Sequence, residues 1–293
     1  MPNVFSLRHL LTSFGLVLAA QATTAADAPV APPVAPPAAH CQEHETEKIR
    51  QHHLKRLDTI LNTDPQVLHE NCRYVSELTM PPPAKKVVLT FDDGPQPGHT
   101  EFILATLKKY DIKAAFFLIG SKAQKYPELV AQIRADGHEA VGNHSWDHPN
   151  FHDIGVSEQT LEVLKTEILL KGKQAPKLFR YPYGNSTCDT NALLRGRGYR
   201  IVGWHVDSCD WAFDKSGSVD AREAISCGVL APNRHAFVDH VVATVRAHNG
   251  GIILLHEIHG NTLKSLESII TRLRDEGFSF TSLDDPEFAA TLR

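Results

Sequence analysis

Short apolar runs alternate with amphipathic segments from Lys86 onward, and this alternation constrains the fold more than any other feature of the chain. The apolar runs predict strands at Val87–Phe91, Ala114–Ile119, Glu139–Gly142, Lys177–Tyr181, Arg200–Val206, Gly251–Leu255 and Phe278–Ser282. The segments between them predict helices at Thr100–Tyr110, Ser121–Asp136, Ser157–Lys171, Thr190–Arg197, Phe237–Ala247 and Leu263–Glu276. Because strands that alternate with helices form a parallel sheet, we expect an α/β barrel in one domain, which we place at residues 84–293.

The segment ahead of this domain has three predicted parts. Residues 1–26 are typical of a secretory signal peptide, since Arg8 and His9 precede the apolar stretch Leu10–Ala20 and small residues follow it. That stretch is shorter than the roughly 20 residues that span a bilayer, although an uncleaved anchor is the alternative. Residues 27–40 form a Pro/Ala-rich linker, and residues 41–83 an N-terminal helical extension with a helix near Glu45–Asn62. We therefore expect a secreted or periplasmic protein.

Five cysteines fit an oxidising compartment, where disulfides form and persist. We expect Cys41 to pair with Cys72, which leaves one odd thiol among Cys188, Cys209 and Cys227. The alternative is that some of the five are reduced and buried as small apolar side chains. The formal net charge of -4 gives no support for a nucleic-acid partner, since such a partner usually requires a basic surface. No stable protein partner is evident from the sequence.

Polar side chains gather where the predicted strands end. These positions are Asp92 and Asp93, His144 and His148, Arg180 to Tyr183, Asp207 to Asp210, and His256. In an α/β barrel the carboxyl ends of the strands carry the chemistry, and the opposite face carries stability. The set therefore predicts an active site.

Asp93, His144 and His148 are the predicted ligands of one divalent metal ion. Three protein ligands with an open position are typical of a catalytic zinc site, and cobalt, nickel or manganese suit the same ligands. Two histidines so spaced are often ordinary surface or core residues, but the adjacent carboxylates favour the metal interpretation. Asp92 is left over as a general base for the attacking water, or else as a carboxylate that only supports the ligands or caps the start of a helix.

The remaining strand ends supply further groups. His256 can protonate a leaving amine, with Leu254 lining the space beside it. Arg180 can hold Asp92 ionised, unless it is an ordinary surface cation, and the Tyr183 backbone N–H can stabilise an oxyanion. The segment Asp207–Trp211 offers a carboxylate to orient His256. Its Trp211 is either a platform for a sugar ring or a core residue. Glu257 and His259 are predicted to make local hydrogen bonds, because His-Glu-Ile-His is one residue shorter than a metalloprotease motif.

Five ordered motifs in this chain resemble those of the polysaccharide deacetylases of carbohydrate esterase family 4, the NodB-homology family. They are Thr-Phe-Asp-Asp-Gly, His-Ser-x-x-His, Arg-x-Pro-Tyr-Gly, Asp-x-x-Asp-Trp and Leu-x-His, within Lys86–Ser282. The resemblance implies a distorted (β/α)7 barrel that removes N-acetyl groups from a polysaccharide. It also implies that Asp92 is the base, that Arg180 orients it, and that Asp210 tunes the acid His256. Tyr183 then contributes its backbone N–H, and Trp211 and Leu254 shape the acetate pocket.

Two segments depart from the family pattern and leave the substrate open. Phe213–Arg234 is longer than the usual link between the last two motifs, and the extension lies outside the shared region. Peptidoglycan, chitin oligomers and exopolysaccharide all fit as substrates. An O-acetyl esterase of the xylan type and a non-catalytic glycan-binding module are the alternatives.

Overall fold

The computed structural model describes residues 80–293 except 139 and 172–176, and also positions 51, 54, 55, 58, 59, 62, 72 and 78. The predicted signal peptide, the linker and most of the extension lie outside the described residues. The described positions from 51 to 59 are helical. The boundaries of the signal peptide, the linker and the extension therefore stay a prediction.

Eight parallel strands form one curled sheet in the described part of the chain. They are β1 (Lys86–Gly94), β2 (Ala115–Leu118), β3 (Val141–Asn143), β4 (Lys177–Phe179), β5 (Tyr199–Ile201), β6 (Val206–Asp207), β7 (Gly251–His256) and β8 (Ser279–Phe280). Seven of them follow the order β5-β4-β3-β2-β1-β7-β6, and β8 pairs with the start of β1. The α/β class and the distorted barrel are thus confirmed.

Nine α-helices accompany these strands in the described residues from 86 onward. They are α1 (His99–Lys109), α2 (Gly120–Lys125), α3 (Pro127–Ala135), α4 (Val156–Leu169), α5 (Cys188–Gly196), α6 (Ala221–Cys227), α7 (Phe237–His248), α8 (Gly260–Asp275) and α9 (Pro286–Ala289). Single 3-10 turns lie at Pro182–Gly184 and Ala231–Asn233. No described helix has the length and apolar character that crossing a bilayer requires.

The central strand β1 is buried on both faces, which explains its continuous apolar run. Val87, Leu89 and Phe91 pack in a cluster with side chains of the surrounding helices. Val88 packs in a second cluster with side chains of β2, β4 and β7. Because side chains alternate along a strand, Asp92 continues the face of Val88 toward the carboxyl end of the barrel.

The predicted strand Arg200–Val206 is wrong as one element, because the chain crosses there between two edges of the sheet. Val202 N–H donates to the Phe179 carbonyl of β4 at 2.9 Å, whereas His205 N–H donates to the Ile252 carbonyl of β7 at 3.0 Å. Arg180 bonds the carbonyls in between, with Nε 3.1 Å from Val202 O and Nη2 3.0 Å from Gly203 O. A buried guanidinium thus replaces the strand partner that these carbonyls lack.

The predicted helix Ser121–Asp136 is two helices. Tyr126 separates α2 from α3 with φ -128° and ψ 59°, outside the helical region. The cause is Pro127, which disfavours helical geometry in the residue before it and opens the next helix well.

The predicted Cys41–Cys72 pair is wrong. Cys72 is bonded to Cys188 at the start of α5, and Cys209 is bonded to Cys227 at the end of α6. Cys41 lies outside the described residues. The first bridge closes 116 residues of sequence, and pairing over such a distance depends on the fold and not on local spacing.

Candidate active site

The three predicted metal ligands meet at the carboxyl end of the barrel. Asp93 Oδ1 lies 3.4 Å from His144 Nε2 and 3.3 Å from His148 Nε2. One potential ligand atom from each residue falls within 4.8 Å of the others. Asp93 and His144 are buried, and His148 is nearly so.

The hydrogen bonds around these residues fit a bound cation. His144 Nδ1 lies 2.8 Å from the Arg180 carbonyl oxygen, which can only accept, so Nδ1 carries the proton. Nε2, the nitrogen that faces Asp93, is therefore the one left to bind a metal. Both carboxylate oxygens of Asp93 are buried and have no hydrogen-bond partner among the described residues. Burial lowers the pKa of His148 to about 3, which keeps that imidazole in the neutral form that binds metals.

A bulge in β1 places two consecutive aspartates at the same site. In a regular strand, neighbouring side chains point to opposite faces. Here Asp92 is opposite Phe117 and Gly94 is opposite Leu118, so Asp93 is the extra residue. Its φ of 69° lies in the left-handed region, which costs a non-glycine residue about 1–3 kcal/mol. Bulges of this kind re-aim side chains near active sites.

The loop that carries His144 and His148 is held by a carboxylate that the sequence analysis did not single out. Glu162 of α4 accepts hydrogen bonds from the Trp146 N–H at 2.8 Å and the Asp147 N–H at 2.9 Å. His148, with φ 58°, also donates its N–H to Ser145 Oγ at 3.0 Å. The available signal was a glutamate on the face of α4 that also carries buried Val163 and Thr166.

Arg180 contacts Asp92, as the sequence analysis expected. Its Nη1 donates to Asp92 Oδ1 at 2.8 Å and to Thr90 Oγ1 at 2.7 Å. The guanidinium is fully buried, with its carbon 4.2 Å from the centre of the Phe117 ring. The second Asp92 oxygen, Oδ2, lies 3.6 Å from His144 Nε2. Asp92 is therefore fixed on one side by Arg180 and faces the predicted metal ligands on the other.

His256 forms a buried ion pair with Asp210. The imidazole Nδ1 lies 2.7 Å from Asp210 Oδ1, and the His256 N–H donates to Oδ2 at 2.7 Å. Burial lowers the pKa of His256, but the charge and hydrogen bond of Asp210 outweigh it and raise that pKa to about 10. For Asp210, burial raises the pKa, but the charge and hydrogen bond of His256 outweigh burial and lower that pKa to about 2. His256 is therefore protonated at neutral pH, as a general acid must be.

Asp207, the first carboxylate of the same motif, bonds to the backbone and not to His256. Its Oδ1 accepts a hydrogen bond from the Cys209 N–H at 2.8 Å and so closes the turn before Asp210. The orienting carboxylate of the motif is thus Asp210, as the family resemblance implied.

An open cleft of about 300 Å³ joins these groups. Its lining residues are Asp92, Asp93, His144, His148, Tyr181, Tyr183, Gly184, Trp204, Leu254 and His256. Tyr183 lies in the Pro182–Gly184 turn with φ 57°, and Leu254 lies on β7 two residues before His256.

Trp211 is not a platform for a sugar ring. Its side chain is fully buried in the main hydrophobic cluster and does not line the cleft. Trp204, which the sequence analysis missed, is the tryptophan of the cleft. It follows Gly203 in the crossover between β5 and β6, and the break that this glycine makes in the apolar run was the available signal.

Comparison with known proteins decides the family. A family model described as polysaccharide deacetylase matches residues 79–202, which include Asp92, Asp93, both histidines and Arg180. A peptidoglycan-N-acetylglucosamine deacetylase of Bacillus cereus is 33% identical over 217 residues, which cover 72% of this chain and 71% of that protein. The chain belongs to the polysaccharide deacetylase family.

Relatives in the polysaccharide deacetylase family differ in length from this chain. The peptidoglycan-N-acetylglucosamine deacetylase PgdA of Listeria monocytogenes is 34% identical over 203 residues, which cover 69% of this chain but 38% of PgdA. The solved structure of the Bc1960 peptidoglycan N-acetylglucosamine deacetylase has a TM-score of 0.58 at 29% identity. The matched region covers 75% of this chain and 95% of the chain in the Bc1960 structure, in agreement with the barrel fold.

Proposed function

We propose that this protein is a secreted, metal-dependent polysaccharide N-deacetylase that hydrolyses N-acetyl groups of N-acetylglucosamine-type residues and releases acetate. The observation that carries the proposal is the meeting of three groups in one cleft. They are the ligand set of Asp93, His144 and His148, the Asp92 carboxylate held by Arg180, and the protonated His256. Amide hydrolysis needs each of them.

The metal ion we propose is Zn²⁺, because two imidazoles and one carboxylate are typical of catalytic zinc sites. Cobalt, nickel or manganese would suit the same three residues. When bound, such an ion supplies a Lewis acid that polarises the amide carbonyl and makes water a better nucleophile.

The residues of the chain then divide the proton transfers. Asp92, held in place by Arg180, accepts a proton from the water that attacks the amide carbon. His256 donates its Nε2 proton to the nitrogen as the carbon–nitrogen bond breaks, so that a neutral amine leaves. We assign the Tyr183 backbone N–H to the developing oxyanion and the Leu254 side chain to the acetyl methyl group. We assign the Trp204 ring, which lines the cleft, to contact with the sugar.

The His256–Asp210 ion pair favours an amide over an ester as the substrate. A departing amine is strongly basic and must be protonated, whereas the alkoxide leaving from an acetyl ester depends less on an acid. A site built for esters alone would not need a histidine whose pKa a buried carboxylate raises to about 10.

Peptidoglycan is the polymer we propose, because the relatives in Bacillus cereus and Listeria monocytogenes are named peptidoglycan-N-acetylglucosamine deacetylases. Export fits this polymer. It is supported by the signal-like residues 1–26 and by two disulfides, which persist in oxidising compartments.

Acetate release by the purified protein tests the proposal. Peptidoglycan, chitin oligomers and an N-acetylated exopolysaccharide are each incubated with the wild type and with Asp92→Asn, which preserves side-chain volume. We expect peptidoglycan to give the highest rate with the wild type, and Asp92→Asn to lose nearly all of it. Equal rates for the two proteins, or no acetate from any polymer, would contradict the proposal.

A further inference from the structure

Glu257 is a buried carboxylate to which the proposed reaction assigns no role. It follows His256 directly and has no exposed surface. One carboxylate oxygen, Oε2, accepts a hydrogen bond from Thr100 Oγ1 in the first turn of α1. The other, Oε1, is buried and has no hydrogen-bond partner among the described residues. A buried carboxyl group with one unsatisfied oxygen costs stability, so its presence calls for an explanation.

The polar groups of Glu257 contact the residues on both sides of Asp93. They bond to Asp92, which precedes it on β1, and to His99 and Thr100 at the start of α1. The Glu257 N–H donates to the Asp92 carbonyl at 3.0 Å, and the Glu257 carbonyl lies 2.7 Å from His99 Nδ1. Thr100, which donates to the carboxylate, also accepts the Gln96 N–H at 2.8 Å. Glu257 therefore links the end of β7 to both sides of the bulge in β1.

Gly94 contacts the Glu257 carboxylate at close range. A Cβ atom at Gly94 would lie 2.0 Å from Glu257 Oε1 and 2.4 Å from its Cδ, closer than any real contact. The φ of Gly94 is not in the left-handed region, so this glycine is required for space and not for backbone conformation. Gly94 is also the residue at which β1 resumes its pairing with β2 after the bulge.

We propose that Glu257 is a positioning residue that holds the bulge of β1 and thereby sets where the Asp93 carboxylate lies relative to His144 and His148. The left-handed conformation of Asp93 is unfavourable by itself and persists only if its surroundings enforce it. The Glu257 carboxylate supplies that constraint by filling the space beneath Gly94. This inference rests on the proposed metal site.

The proposal predicts weaker metal binding when the side chain is removed. In Glu257→Ala the turn after β1 can relax into the vacated space, and we expect Zn²⁺ affinity to fall about 10- to 100-fold, as for other residues that support metal ligands. Glu257→Gln keeps the volume and an oxygen for Thr100, and it replaces an oxygen that accepts no hydrogen bond. We expect its affinity to stay within about threefold of the wild type.

A double-mutant cycle tests the contact with Gly94 directly. Gly94→Ala alone places a methyl group against the carboxylate and should also weaken Zn²⁺ binding. In Gly94→Ala/Glu257→Ala the methyl group enters the vacated space. The double variant should therefore bind Zn²⁺ at least tenfold more tightly than the product of the two single effects predicts.

The measurement is Zn²⁺ affinity by competition with a chelating dye, with the melting temperature of each metal-free protein recorded in parallel. Leu273→Ala, which opens a cavity in the main cluster at the far end of α8, is the control for general destabilisation. It should lower the melting temperature and leave Zn²⁺ affinity unchanged. If Glu257→Ala binds Zn²⁺ like the wild type, or if the cycle is additive, the positioning role is wrong. If the wild type itself does not bind Zn²⁺, the proposed metal site is wrong instead.

Discussion

Asp210→Asn should convert His256 from a protonated to a neutral residue at pH 7. The amide keeps an oxygen for the imidazole or for the His256 N–H, so that the ring stays close to its place. The charge that raises the His256 pKa from 6.5 to about 10 is lost. That difference corresponds to about 5 kcal/mol of stabilisation of the imidazolium. Burial then lowers the pKa of His256 with only the charges of Asp92 and Asp93 left to oppose it.

The assay is the pH dependence of kcat/KM for acetate release. For the wild type, the fall in rate on the alkaline side should follow the loss of the His256 proton, and protonation of the base Asp92 limits the rate on the acid side. For Asp210→Asn we expect kcat/KM at pH 7 to be about 10²- to 10⁴-fold lower, the range that a general acid contributes. Lowering the pH should bring part of the rate back, because it restores the proton.

Asp207→Asn is the matched control, because it removes the same charge from the same loop but keeps the oxygen that accepts the Cys209 N–H. We expect its kcat/KM to stay within about threefold of the wild type. If Asp210→Asn retains the rate and the alkaline limit of the wild type, the assignment of His256 as the acid is refuted.

Three further predictions concern other parts of the structure. His256→Ala should reduce hydrolysis of an N-acetyl substrate about 100-fold more than that of an O-acetyl substrate, measured on matched glycosides, and equal losses would contradict the preference for amides. Trp204 and Trp211 are both buried, so Trp204→Ala and Trp211→Ala should each cost about 3–5 kcal/mol of folding stability in urea titrations. Under conditions in which both variants are folded, only Trp204→Ala removes a side chain that lines the cleft, so it should lower kcat/KM more than Trp211→Ala, and the opposite order would place the wrong tryptophan in the cleft. Burial lowers the pKa of both His138 and His205 from 6.5 to about 4. Below pH 6.5 the unfolded chain therefore binds protons that the folded protein does not, so the free energy of unfolding is highest above pH 6.5 and falls as the pH is lowered toward 4. Each should contribute up to about 3 kcal/mol, and urea titrations of His138→Gln between pH 7 and pH 4 should show a smaller loss than the wild type.

The sequence could predict which side chains meet at the candidate site, because each follows an apolar run. A parallel barrel brings the carboxyl ends of its strands to one face, so Asp93, His144, Arg180 and His256 had to lie near one another once the alternation was recognised. The contact between Arg180 and Asp92 followed from the same reasoning together with opposite charge.

Apart from the helix break before Pro127, which has a local cause, the features that sequence did not predict depend on distant contacts. The bulge that turns Asp93 toward the histidines involves Gly94 and Glu257, residues 163 positions apart in the numbering of the chain. The crossover at Gly203 looks like a continuous strand until the buried guanidinium that bonds its carbonyl is known. Likewise, which tryptophan of the chain faces the cleft depends on how the loop after β6 packs.

Zinc titration of the metal-free protein tests the central claim most directly. Acetate release from peptidoglycan is followed as Zn²⁺ is added to protein whose fold has been verified by circular dichroism. We expect activity to rise until one equivalent is bound, and we expect Asp93→Ala to bind no zinc tightly and to release no acetate at any point. Undiminished acetate release by the folded, metal-free protein would contradict the account.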